Sequence, residues 1–221
     1  MAQPKKLVSE LITDFELQVN DTTELSSTEE LSLLNRIYIK ICNLRPWAWL
    51  KVSATGSCSL DATGLYITIP TDFGMFIENN NYTDNSIESQ NNAAPKVIFI
   101  GTNFTPYQII NWQDRRQYRT RTGFVYYDIA NGIIRLTDPL TSLPVSRTFE
   151  FDYAKVAAKL IITDYPLFSG QFHDIITFGM AVDDFILQLS DKAKSYAVEN
   201  QMKYQQLLAD MEYQDAQTYL N

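Results

Sequence analysis

Apolar residues recur at helical spacing at both ends of the chain and at strand spacing between them. Leu7, Val8, Leu11, Ile12 and Phe15 share one face and predict a helix from Lys5 to about Val19, broken by Asn20-Asp21-Thr22-Thr23. A second helix is predicted from Ser27 to about Leu44, with Leu31, Leu34, Ile37, Tyr38 and Ile41 in one stripe. Ser27 and Glu30 have the spacing of a capping box, in which hydroxyl and carboxylate satisfy free amides reciprocally. Arg45-Pro46 closes this helix, because proline disfavours helix in the residue before it.

From about residue 50 to 152 the pattern turns to strands. Leu65–Ile69 is rich in β-formers and stops at Pro70; Val97–Ile100 reads as a buried strand between Pro95 and Gly101. Phe124–Ala130 and Ile133–Leu136 flank Asn131-Gly132, which predicts a hairpin with a two-residue type I′ turn. Arg147–Tyr153 alternates Phe149 and Phe151 with polar neighbours, as a half-buried strand does. Glu78–Ala94, crowded with Asn, Ser and Asp, is expected to be a mobile exposed loop.

Helical spacing then returns. Val156, Ala157, Leu160 and Ile161 predict a helix over Tyr153 to about Thr163, with a turn at Pro166–Gly170. A long apolar helix is expected from Gln171 to Leu189, a cap or kink at Ser190-Asp191, and a more polar helix from Lys192 to about Tyr213. The expected fold class is α+β: a helical bundle from the N- and C-terminal helices, carrying a central antiparallel β insertion. The corresponding domains are 1–50 plus 153–221 (helical) and 51–152 (β-rich).

Composition changes this picture little. The 221 residues are 45% hydrophobic and carry a net charge of −8, which disfavours phosphate-driven nucleic-acid binding by the chain as a whole. The two cysteines, Cys42 and Cys58, imply no disulfide framework. No run of about eighteen apolar residues is present, so no membrane span is expected, and the N-terminus lacks the apolar core of a secretory signal. The expectation is a protein made and kept in a cytoplasm, so the N-x-[ST] triplets at Asn20, Asn81 and Asn103 read as chance matches.

Catalytic and cofactor chemistry finds little to work with. His173 is the single histidine, so no histidine pair can hold a metal, and beside Asp174 it reads as a structural hydrogen-bonding residue. There is no nucleophile elbow, phosphate-binding glycine loop or calcium loop, and Asp183-Asp184 diverge on a helix instead of forming a dyad. No catalytic residue, cofactor site or metal site is assigned, and the chain is expected not to be an enzyme.

Two regions suggest partners instead. Arg115, Arg116, Arg119 and Arg121 lie within seven residues around Tyr118, fit for an acidic neighbour or DNA phosphate, or else simply solvated. Tyr196, Met202, Tyr204, Leu207, Met211 and Tyr213 give the polar last helix an apolar content that suits docking into a partner groove, or ordinary packing. Trp47 and Trp49, with Phe172 and Phe185, are expected core anchors.

Several elements recur in an order that resembles the head-to-tail adaptor (connector) proteins of short-tailed phages. Leu34-Asn35-Arg36-Ile37-Tyr38 followed by Leu44-Arg45-Pro46-Trp47-Ala48-Trp49-Leu50 is similar to the family's opening helix and first strand. Tyr66, Ile69, Pro70, Asp72 and Phe73 match its next element. Phe149–Tyr153, Asp164-Tyr165-Pro166, the run Phe172–Ile176 with Gly179 and Ala181, and finally Tyr204, Leu208 and Met211 complete the order. The resemblance spans about residues 30 to 215 and departs from the pattern in the Asn-rich and arginine loops.

This resemblance implies a non-enzymatic virion subunit, assembled in the host cytoplasm into a ring, usually a dodecamer, beneath the portal protein. Such a ring joins the capsid vertex to tail or nozzle proteins and lines the channel for genomic DNA without reading its sequence. It also implies that helical parts, often the C-terminus, dock on the portal. Alternative readings are another virion tail, tube or head-fibre component, or a monomeric host-side binding protein.

Overall fold

The computed structural model describes residues 4–19, 25–77, 97–119, 121–138, 147–187 and 191–218. The chain divides into two compact units, Met1–Leu50 with Ala157–Asn221, and Lys51–Val156. The Asn-rich loop and the break after Val19 lie outside the described residues, as does Ser190 of the expected kink.

The first unit holds α1 (Val8–Val19), α2 (Ser27–Cys42), α3 (Asp174–Leu187) and α4 (Asp191–Thr218). The capping box of α2 lies one residue earlier than the spacing suggested. Ser26 is the cap and Glu29 its reciprocal partner, with the Ser26 backbone N–H donating to the Glu29 carboxylate at 2.8 Å. Glu30 is thereby released to turn inward, where it is 4% exposed; burial, and then the neighbouring Glu16 carboxylate, raise its pKa.

The apolar stripes meet where the spacing placed them. Leu11 and Phe15 of α1, Leu34, Ile37 and Tyr38 of α2, and Ile175, Ile176 and Met180 of α3 are all buried. At Gly179 a Cβ would sit 2.6 Å from Ile37 Cγ2 and 3.2 Å from the Tyr204 ring, so the missing side chain lets α2, α3 and α4 approach closely.

The helix expected over Tyr153–Thr163 does not form. Its residues are divided between the two units: Tyr153 and Ala154 extend the last strand, whereas Ala157 and Leu160 are buried in the helical unit. Val156 and Ile161, which share their helical phase, are left 51% and 60% exposed. Local spacing looked helical, but no single helix could serve both cores. The irregular chain that replaces it caps α1, accepting from the free amides of Val8 at Asp164 O (3.0 Å) and Ser9 at Ile162 O (3.2 Å).

Among its described residues the second unit contains nine strands. These are β1 (Lys51–Ser57), β2 (Ser59–Asp61), β3 (Gly64–Thr68), β4 (Phe73–Phe76), β5 (Val97–Ile100), β6 (Thr105–Ile110), β7 (Phe124–Asp128), β8 (Ile133–Leu136) and β9 (Thr148–Lys155). They form one sheet in the order β1-β9-β5-β6-β7-β8-β3-β2, with β4 also pairing β9. Cys58 alone separates β1 from β2, so both ends of that path belong to one stretch of chain and the sheet is nearly closed.

The interior takes alternate residues from each strand: Leu65 and Ile67, Ile98 and Ile100, Ile134 and Leu136, Phe151 and Tyr153. Phe73 joins this core, its ring 4.7 Å from Phe76 and 5.6 Å from Tyr153. Gly74 follows because a Cβ there would lie 2.8 Å from the Ala154 carbonyl oxygen.

These observations overturn the expected fold class. The structure is a mixed α+β fold dominated by a nearly closed nine-stranded sheet, with four α-helices among the described residues, not a helical bundle carrying a β insertion. The strands are short, from three to eight residues, so each is a weak signal; closure makes them one core. Nor is the sheet wholly antiparallel, since β6 and β7 pair in parallel through Gln108–Ile110 and Phe124–Tyr126. The β7–β8 connection differs as well. Asp128 pairs with Ile133 across a four-residue loop in which Gly132 (φ 63°) takes the left-handed conformation and Asn131 does not, so the turn is not type I′.

Candidate functional site

The arginine cluster follows β6. Trp112–Arg116 forms a short 3-10 turn and places the Arg115 guanidinium 3.5 Å from the centroid of the Trp112 ring, with its Nη1 donating to Trp112 O at 2.7 Å. Arg121 lies 5.4 Å from the Tyr118 ring centroid, and Tyr118 packs on Phe124. Arg116 and Arg119 are exposed and have no ion-pair partner among the described residues. Aromatic rings thus hold two guanidiniums in place beside two that extend into solvent. Such a surface can pair with carboxylates or phosphates, and sequence spacing alone did not distinguish the stacked arginines from the free ones.

The residues proposed on the last helix separate into two opposite faces. Tyr204 and Met211 are buried in their own unit, at 6% and 0% exposure, and so do not offer a partner surface. Leu207 is half-buried, while Tyr196, Met202 and Tyr213 are exposed at 44%, 62% and 70%. Val198, 61% exposed, joins Met202 and Tyr213 on the outer face.

Of the expected anchors, Trp47 is fully buried, its indole Nε1 donating to Ile41 O at 2.8 Å, and Phe172 is buried. Trp49 is half-buried and stacks on Trp47, ring centroids 4.4 Å apart and planes at 19°. Trp49 lies in a 3-10 turn, Ala48–Leu50. Phe185 lies on α3, but its side chain is outside the described ones.

Several polar side chains, Asn35 and Asp72 among them, are internal fasteners. The buried Asn35 side chain donates to Leu31 O and Leu160 O, both at 3.0 Å, and accepts from Leu160 N–H at 2.7 Å. Asp72 accepts from the Tyr153 hydroxyl at 2.7 Å. Asp215 on α4 is buried, accepts from Ala48 N–H at 2.7 Å and pairs with Arg45 at 3.4 Å, tying α4 to the Trp47–Trp49 turn. In the sheet unit Arg135 bridges Asp61 and Asp128 at 3.0 and 3.3 Å; its hydrogen bonds hold the Asp61 carboxyl well below the usual carboxylate range.

His173 belongs with these fasteners. It is fully buried, its Nδ1 accepting from Lys6 N–H at 3.0 Å and its Nε2 facing Phe168 O at 3.1 Å. A carbonyl only accepts, so the hydrogen sits on Nε2 and Nδ1 has no room for a second one. Burial lowers the imidazole pKa from its ordinary value of 6.5. The unfolded chain then takes up the proton first, so the stability contributed by the neutral ring is complete above about pH 6.5 and lost as the pH falls toward the lowered value. Urea midpoints measured between pH 7.5 and 5.5 should fall in the native chain and fall less in His173→Gln; equal slopes would rule out this linkage.

Among the described residues no group of three His, Cys, Asp or Glu side chains could hold a metal ion, and no helix is long and apolar enough to cross a membrane. A groove of about 580 Å³ lies between α2 and the irregular segment, lined by Leu31, Asn35, Arg36, Ile39, Lys159 and Ile161 among others. Sequence spacing could not reveal it, because the segment forming one wall had the pattern of a helix. No protein-family model matches the chain, and no curated protein matches it.

Proposed function

We propose that the chain is a virion structural protein, a connector subunit that assembles as a ring beneath the portal and joins the DNA-filled capsid to the tail. The ordered motifs from Leu34 to Met211 support this reading, and their positions add weight to it. Asn35, Trp47, Asp72, Phe73 and Gly179 each tie one part of a unit to another, so the shared pattern marks the frame of the units and not scattered surface residues.

The observation that carries the assembly role is the outer face of α4. A 28-residue helix already packed on its inner side still leaves Val198, Met202 and Tyr213 more than 60% exposed. Side chains of this kind suit a protein that completes its burial against neighbours. The arginine–aromatic surface supplies a second contact, for acidic tail components or passing DNA phosphates. The net charge of −8 keeps the chain as a whole from gripping a polyanion.

Electron microscopy and native mass spectrometry of the chain mixed with the portal protein of its own genome test this reading. The expected result is a ring of many copies stacked on the portal. A chain that stays monomeric and sediments apart from the portal overturns it.

A further inference from the structure

We infer that the outer face of α4 in one copy seats in the α2 groove of the next, making a head-to-tail contact between identical chains. The inference rests on the reading of the chain as a ring-forming subunit. A closed ring needs two different, complementary surfaces on every subunit, since a contact pairing one patch with itself stops at a dimer. The helical unit presents two such surfaces.

The first is convex. Val198, Met202, Ala209 and Tyr213 follow one another at intervals of four, seven and four residues, along about 22 Å of helix, and all four are exposed. Tyr204 and Met211 occupy the opposite side, so this stripe plays no part in holding its own unit together.

The second is concave. The groove runs beside three turns of α2, about 16 Å, from Thr28 to Ile39. Leu31 and Ile39 are half-buried on one wall, and Ile161 stands 60% exposed on the other. This is the shape in which an amphipathic helix docks through residues one turn apart.

Charge matches the two surfaces. Over the stripe, Val198–Tyr213, α4 carries Glu199, Lys203, Asp210 and Glu212; Lys203 pairs with Glu199 at 2.6 Å, which leaves Asp210 and Glu212 as the outward charges with no ion-pair partner among the described residues. Arg36 and Lys159 line the groove. Arg36 is already engaged with Asp183 at 2.8 Å, but Lys159 has no ion-pair partner among the described residues. Opposite charges beside a short apolar contact set the register of an interface more than its strength.

Cross-linking of variants with one added cysteine tests the contact, because Cys42 and Cys58 are buried and stay silent toward a short bis-maleimide. Met202→Cys and Ile161→Cys, each checked for native circular dichroism, are expected to cross-link when mixed, and each alone to remain monomeric on a denaturing gel. The double variant is expected to give a ladder of higher oligomers. Lys159→Glu should weaken self-association at least tenfold, and Glu212→Lys on the partner should recover part of it.

Homodimers from Met202→Cys alone would mean that α4 pairs with α4. No cross-link in the mixture, or one between Met202→Cys and the portal only, equally overturns the inference. A ring on the portal without these cross-links leaves the connector reading standing and removes this contact. Cross-links from a chain that ignores the portal do the reverse.

Discussion

Replacing Trp47 by alanine is expected to cost the helical unit about 3–5 kcal/mol, the usual range for removing a buried aromatic side chain. The ring is fully buried, stacked on Trp49, and lies under the Arg45 guanidinium 5.3 Å from its centroid. Arg45 in turn reaches Asp215 on α4, and Asp215 holds Ala48 N–H. Truncation therefore opens a cavity and loosens the end of α2, the following turn and the last helix together. It also takes the indole donor away from Ile41 O. Urea denaturation followed at 222 nm should show the loss as a lower midpoint with little change in slope. Leu17→Ala, at a site 74% exposed, serves as the control and should shift stability by no more than about 0.5 kcal/mol. A Trp47→Ala chain within 1 kcal/mol of the native one would mean that this junction is not a core.

Asn35 is the second position where a single change should be severe, for a different reason. Its side chain satisfies both the N–H and the C=O of Leu160, a residue in irregular chain with no helix or sheet to supply partners. Asn35→Ala leaves two main-chain groups in a buried place without a bond. Each such group costs roughly 1–3 kcal/mol, and a combined loss of about 2–4 kcal/mol is expected. Asn35→Asp separates the two roles. A carboxylate still accepts from Leu160 N–H but cannot donate to Leu160 O or Leu31 O, and its charge is buried. The aspartate variant should therefore be no more stable than the alanine variant at pH 7 and should recover in part as acid protonates the carboxyl. Equal stability of Asn35→Asp and the native chain would show that acceptance alone suffices.

The two predictions draw on differently legible residues. Trp47 stands between apolar neighbours beside a helix stop, so its burial could be expected from its type and place. Asn35 has no such signal. It is a polar residue in the middle of an apolar helix, and only the position of Leu160, 125 residues later, explains it. His173 lies between: its pairing with Asp174 suggested a structural role, but the partners are Lys6 N–H and Phe168 O.

The candidate surfaces follow the same division. The arginine cluster was visible as charge density, whereas the stacking of Arg115 on Trp112 depended on a turn that spacing did not specify. On α4 the tyrosines, methionines and leucine stand out in the sequence as apolar content, but composition does not sort them by face. Tyr204 and Met211 went inward because α4 packs along α3, and that choice left Met202 and Tyr213 outside.

By itself, the sequence determined that helix gives way to strand near residue 50 and which residues line the buried stripes of α1, α2 and α3. Those are local properties, set by the 3.6- and 2-residue periods of side-chain direction. Tertiary structure alone decided that nine short strands close into one sheet, that β6 and β7 run parallel, and that residues 156–163 stay irregular. Each of these depends on partners far along the chain: Cys58 joining the two ends of the sheet, and Asn35 holding Leu160. The outward stripe of α4 is decided in the same way, because a helix with apolar residues on two sides exposes whichever side its own unit does not cover.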